Sequence, residues 1–224
     1  MGQAPQTGAH RMQTGNLRLF ALLATIGAWM VFALALLSAV LIVLALADRD
    51  LANGIGPLPA VLALAGIALN VIFLGSVIPV LLWVFTAHAN LRAAGMRGLR
   101  HSPGWATFSF FVPVANLFVP FVAMRELANR SACEPEEFAG SSVDDVSSWW
   151  SCWVVSAIVM TMVVLTVFVD ALPGIWVTTP TWAVLALTLF GQVLFAASAW
   201  FLIKVLRQVT DNQMNGAVDL GMFE

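Results

Sequence analysis

The chain has 224 residues, a mean hydropathy of +0.90, and only 10% charged against 60% hydrophobic side chains. A water-soluble domain carries roughly 25% charge, so this composition excludes one and indicates a helical membrane protein. The formal net charge of −2 carries no message about nucleic acid or acidic ligands, and with no basic run and no aromatic–basic interleaving a nucleic-acid partner is not expected.

Residues 1–16, rich in Gln, Thr and Gly, read as a disordered tail. The first apolar run, Leu19–Ala47, is far longer than the apolar core of a signal peptide, about 7–15 residues. It is therefore expected to stay as a first span, closed by Asp48-Arg49-Asp50. Ala21, Ala24, Ala28, Ala35 and Ala39 fall on one face of it, a small-residue stripe suited to close helix packing. Pro57 and Pro59 mark the start of a second span, Leu58–Ala87, with Pro79 inside it and Asn70 near its centre. The helix leaves the membrane through Trp83 to Arg92, where His88 and Arg92 share a face and Asn90 lies well round from them.

The stretch from Ser102 to Met124 has no charged side chain and is long enough to cross a bilayer, which needs about 20 helical residues. Its residues argue against one continuous helix. Ser102-Pro103 is a helix start, with Ser as N-cap and Pro at the first helical position. Pro113 and Pro120 then interrupt it, and an interior proline costs about 3 kcal/mol. A break between Pro113 and Asn116 is expected, with the Asn116 side chain bonding the backbone groups freed there. The apolar side should include Trp105, Phe108, Phe111 and Phe121, with Arg100 and Arg125 at headgroup level.

Charge tests the same point. With four spans and a cytoplasmic N-terminus, Arg11, Arg18, Arg92, Arg97, Arg100, Arg125, Arg130, Lys204 and Arg207 lie inside and Arg49 alone outside. If residues 102–124 also crossed, the split would be even, so the positive-inside rule favours a segment that enters the membrane and returns.

An acidic loop follows, with Glu134, Glu136, Glu137, Asp144 and Asp145. Its spacing matches no calcium loop, and it reads as a solvated charge run. The third and fourth spans are Trp149–Val169 and Thr181–Ile203, joined by a tight turn through Asp170, Pro173, Gly174 and Pro180. Trp83, Trp149, Trp150, Trp153 and Trp200 are expected in the inner interfacial belt, and Trp176 and Trp182 in the outer one. Gln192 sits near the centre of the fourth span. It is expected to bond Asn70 across the bundle and fix register, and the rival use of the two amides is to line a pathway. Residues 214–224 read as a second cytoplasmic tail.

Catalytic and cofactor signatures are absent from the sequence. There is no GxSxG, no HExxH and no phosphate-cradling glycine loop. No Asp, Glu, Lys, Arg or His falls near the middle of any span, where proton-coupled transporters usually carry one. Cys133 and Cys152 have no metal-ligand spacing and read as free thiols.

The ordered series Trp83, Ala87-His88-Ala89-Asn90-Leu91-Arg92, Ser102-Pro103-Gly104-Trp105-Ala106, Val112-Pro113-Val114-Ala115-Asn116-Leu117, Pro120 and Met124-Arg125-Glu126-Leu127 resembles the bacterial membrane family called domain of unknown function 4328. The resemblance runs from about Ala21 to Gln213. The chain departs from the family pattern at Thr86, where an arginine is frequent, and at Phe118-Val119, which lack the basic residue frequent before the second proline. The resemblance implies a fold and a membrane location, not a chemistry.

The expectation is an all-α, polytopic protein of a bacterial cytoplasmic membrane, both termini cytoplasmic. A single domain over residues 17–213 holds four transmembrane helices, with a broken amphipathic or re-entrant helix pair at residues 102–130 between the second and third. The expected function is non-enzymatic: an interaction or regulatory module in the lipid bilayer, engaging a protein partner or a second copy. Its surface would be formed by Trp83, His88, Asn90, Arg92, Ser102, Pro103, Trp105, Pro113, Asn116 and Arg125. The alternative is a small oligomeric channel or transporter with Asn70 and Gln192 lining a path.

Overall fold

The computed structural model describes residues 7–47, 57–96, 98–173 and 179–221. The Asp48-Arg49-Asp50 stop, Arg97, Gly174 and Trp176 lie outside them. Among the described residues there is no strand. Six α-helices follow in order: α1 (Thr7–Ala47), α2 (Leu58–Ala93), α3 (Pro103–Phe108), α4 (Val119–Ser131), α5 (Asp144–Asp170) and α6 (Thr181–Gly221). Short 3-10 turns cover Ser109–Phe111, Ala115–Leu117 and Glu136–Phe138.

The helices α1, α2, α5 and α6 are long and apolar enough to cross a membrane. On α2, Leu64, Ile67, Val71, Leu74 and Ile78 recur at spacings of three and four and are 62–66% exposed. An apolar stripe at helical spacing with no protein cover is the pattern of a lipid-facing helix, the reverse of a soluble amphipathic one. The chain is an all-α protein with four membrane-span-like helices and a broken helix pair between the second and third.

Four helix ends lie beyond the apolar runs, the start of α5 at Asp144 rather than Trp149 among them. The first helix begins at Thr7, inside the expected tail, and α6 continues to Gly221 rather than stopping near Ile203. Once a helix is nucleated, each added residue gains a backbone bond at little further cost. The α6 extension also carries Ile203, Leu206, Val209 and Thr210 on a buried face. The second helix runs through Pro79 and on to Ala93. It closes with paired bonds, Gly95 N–H to the Arg92 carbonyl at 3.0 Å and Met96 N–H to the Leu91 carbonyl at 3.1 Å. Gly95 takes the left-handed φ of +75° that this helix end requires, a conformation a Cβ would strain.

The chain divides into two compact units, each drawing on all four long helices. The first comprises residues 1–27, 75–147 and 202–224. Its core contains Leu17, Trp83, Val84, His88, Met124, Leu127, Leu206 and Val209, all essentially solvent-free. Here α1 and α2 approach closely, since a Cβ added at Gly27 would come within 2.6 Å of the Ser76 Cβ.

The second unit comprises residues 28–74 and 148–201. Val31, Ala35, Leu69, Ala196 and Ala199 form its core, with Phe32, Phe73 and Phe195 packed against them. The Trp29 ring meets Trp200 edge-on at 5.6 Å, and Phe73 meets Phe195 at 5.3 Å. All five alanines of the predicted stripe are buried.

Candidate functional site

The residues singled out from the sequence gather in the first unit, around the end of α2 and the α3–α4 segment. The break arrives as expected. Ser102 caps α3, its Oγ accepting from the Trp105 N–H at 3.1 Å, and Pro103 takes the first helical position. The helix gives way after Phe111, and Asn116 N–H donates to the Val112 carbonyl at 2.7 Å across the Pro113 turn. The expected role of the Asn116 side chain is not met. Its Oδ1 is buried without a hydrogen-bond partner, and the backbone N–H, not the side chain, closes the turn.

Outward, the segment is apolar. Trp105, Phe108, Phe111, Val114, Leu117, Phe118 and Val122 are all exposed, Val114 at 73%. Phe121 is the exception to the expected apolar side: it is half-buried, with the Arg125 guanidinium 5.2 Å from its ring centre. Pro113 and Ser102 are exposed, and Pro103 is half-buried.

Inward, the polar residues are committed to one another. Trp83 was expected in the interfacial belt but is fully buried, its indole N–H donating to Thr210 Oγ1 at 3.0 Å. A tryptophan whose N–H finds a protein partner has no need of the headgroups. His88 is also fully buried. Its Nδ1–H donates to the Val84 carbonyl at 2.9 Å, while Nε2 has no partner within hydrogen-bonding distance. Asn90 Oδ1 is buried and unpartnered, and Arg92 reaches the His101 carbonyl at 3.2 Å.

The hub of this unit is Glu126, which is only 3% exposed. One carboxylate oxygen accepts the Arg100 N–H at 2.5 Å, and the other pairs with His101 Nδ1. Burial pushes this carboxyl up, but the bond from His101, the Arg100 N–H and the charge of His101 outweigh it and hold it below its ordinary value. One turn on, Asn129 Nδ2 donates to the Ala139 and Ser141 carbonyls at 3.1 and 3.0 Å. Arg125 Nε also reaches Ser141 O, and Arg130 donates to the Glu134 carbonyl. From α6, Gln213 Nε2 donates to Ala87 O at 3.1 Å and Ser131 Oγ at 2.9 Å. Sequence reasoning missed Glu126, Asn129 and Gln213 as organising residues. The available signal was the lone carboxylate on α4, which must find a partner if buried.

Most of the acidic stretch is solvated as expected, with Glu134, Glu136, Glu137 and Asp144 exposed, and Asp145 is the departure. Asp144 and Asp145 sit in the first turn of α5, where the helix dipole favours them, and Asp145 pairs with Lys204 at 2.5 Å. Among the described residues no group of three or more His, Cys, Asp or Glu could hold a metal. Cys133 and Cys152 are free.

In the second unit, Asn70 and Gln192 do not bond each other. Asn70 Nδ2 donates to the Gly66 carbonyl one turn back, at 2.8 Å. Gln192 is buried, with Oε1 lacking a partner. Both instead line one cavity of about 330 Å³.

Residues 59–211 match the family described as domain of unknown function (DUF4328), well over half of the chain, and the chain belongs to that family. No curated protein and no solved structure matches it.

Proposed function

Taking that membership as the premise, we propose that this chain is a non-enzymatic interaction or regulatory module of the bacterial cytoplasmic membrane. One observation carries the reading. The groups able to do chemistry near the family motif, His88, Glu126 and Asn129, are buried and mostly spent on internal bonds. What faces outward is an apolar ridge from Trp105 to Val122, with Arg92 and Arg100 exposed before it and the half-buried Arg125 just after it. Such a ridge suits the acyl boundary, and arginines suit the headgroups. The exposed side of residues 92–125 is then the working surface, and the buried motif residues keep it in shape.

The test is a photoreactive residue at Ser102, one at a time with Arg92 and Pro113, in native membranes. A discrete protein adduct, with another chain or a second copy, is the expected result. Lipid adducts alone at all three positions would remove the interaction reading. The channel or transporter reading draws support from the shared cavity of Asn70 and Gln192. It requires solute flux in reconstituted vesicles that Gln192→Leu abolishes.

A further inference from the structure

We propose that the cavity of the second unit is a binding site for a neutral amphiphile bearing a hydroxyl group. The inference needs neither a protein partner nor flux, and it stands apart from the surface reading.

The cavity, about 330 Å³, lies between α2, α5 and α6. That is at the small end of the range for small-molecule sites, about 300–1,000 Å³. Its walls are mostly apolar, with Phe73 and Trp153 among them, and among the described residues no Asp, Glu, Lys, Arg or His lines it. A charged occupant would enter without a counter-charge, which apolar surroundings penalise heavily. The occupant is therefore neutral and mainly hydrocarbon.

It is not hydrocarbon alone. Gln192 is 9% exposed, lines the cavity and has a buried side-chain oxygen with no partner. Turning the amide over exchanges oxygen for nitrogen and still leaves a polar atom unpaired. A hydroxyl group donates and accepts, so it pairs with whichever atom of the Gln192 amide turns to the cavity. Two neighbours extend the polar patch. Asn70 is oriented by its bond to Gly66 O, which leaves its own Oδ1 uncommitted among the described residues. Ser156 Oγ donates to the Gly191 carbonyl at 2.9 Å and keeps its lone pairs as acceptors. An ether or an alkane of the same length supplies no donor to these oxygens.

The experiment uses the full chain in phosphatidylcholine nanodiscs and three diazirine probes of equal length: a dodecanol, its methyl ether and the dodecane. The alcohol should label the cavity walls on α2, α5 and α6 about fivefold or more above the other two, and unlabelled dodecanol should compete. Gln192→Leu should lower alcohol labelling about tenfold and leave ether labelling unchanged. Ala157→Phe, which adds a ring at the cavity wall, should abolish labelling by all three. Equal labelling by the three probes, or alcohol labelling unaffected by Gln192→Leu, overturns the proposal. Should Gln192→Leu fail to fold, Ala157→Phe decides, because labelling that persists in it places the alcohol elsewhere.

Discussion

The carboxylate of Glu126 ties α4 to the chain at Arg100 and His101, some 25 residues earlier, and its titration should be visible in stability. Its native pKa lies below the ordinary value of 4.5. A group depressed in this way contributes its full stabilisation above the ordinary value and loses it as pH falls through the native pKa. The thermal midpoint in detergent should therefore be steady on this account above about pH 5 and fall on acidification. Glu126→Gln should lower stability at neutral pH by about 1–3 kcal/mol, because buried donors lose a charged acceptor. Its acid limb should be flatter than that of the wild type. Parallel limbs for the two proteins would place the acid sensitivity at another group. A lone carboxylate on α4 signals only that Glu126 needs partners if buried; which partners cannot be read locally, since Arg100 and His101 are remote in sequence and only the fold brings them together. The same holds for Trp83: an aromatic near the end of an apolar run reads equally as belt or core, and Thr210, which settles it, is 127 positions away.

Among the elements, the broken pair α3–α4 was the most legible, because its signals are local. A serine–proline start and two prolines dictate a cap and an interruption wherever they occur. Spin labels placed along residues 103–124 should report depth that stays shallow or rises and falls back. A steady progression from one interface to the other would make the segment a span. Helix packing was legible in kind but not in partner. The alanine stripe on α1 announces close approach, yet only the structure shows which positions cannot grow. At Gly27 a methyl group would meet the Ser76 Cβ at 2.6 Å and its Cα at 3.3 Å, so two helix backbones must part. At Gly191 it would meet the Met160 Sδ at 2.6 Å, the movable end of a flexible side chain. Gly27→Ala should therefore destabilise by about 1–3 kcal/mol and Gly191→Ala by less. Equal thermal shifts for the two would mean that the helices yield more readily than the side chain does. Asn70 and Gln192 line one cavity without bonding each other, because pairing depends on helix rotation, which their spacing does not specify.

For the molecule as a whole, the count of four long helices was legible because apolar length alone determines it. The polar ends were not, since residues 7–18 and 204–221 extend their helices without an apolar run to mark them. Orientation rests on the arginine asymmetry, and Cys133 tests it because the loop that carries it is exposed. With Cys152 replaced by Ser, a membrane-impermeant maleimide should leave Cys133 unlabelled in intact cells and label it after lysis. Labelling from outside would reverse the topology. The arrangement of the first unit also sets an order in time. Its core joins Leu17 and Trp83 to Leu206, Val209 and Thr210, and Gln213 bridges Ala87 and Ser131. During synthesis, Trp83, Ala87 and Ser131 must wait for more than eighty further residues, Gln213 among them, before their partners exist. The nascent chain thus spends most of its elongation with that core open, and a ribosome stalled before Thr210 would present the membrane's quality-control proteases with an unclosed protein.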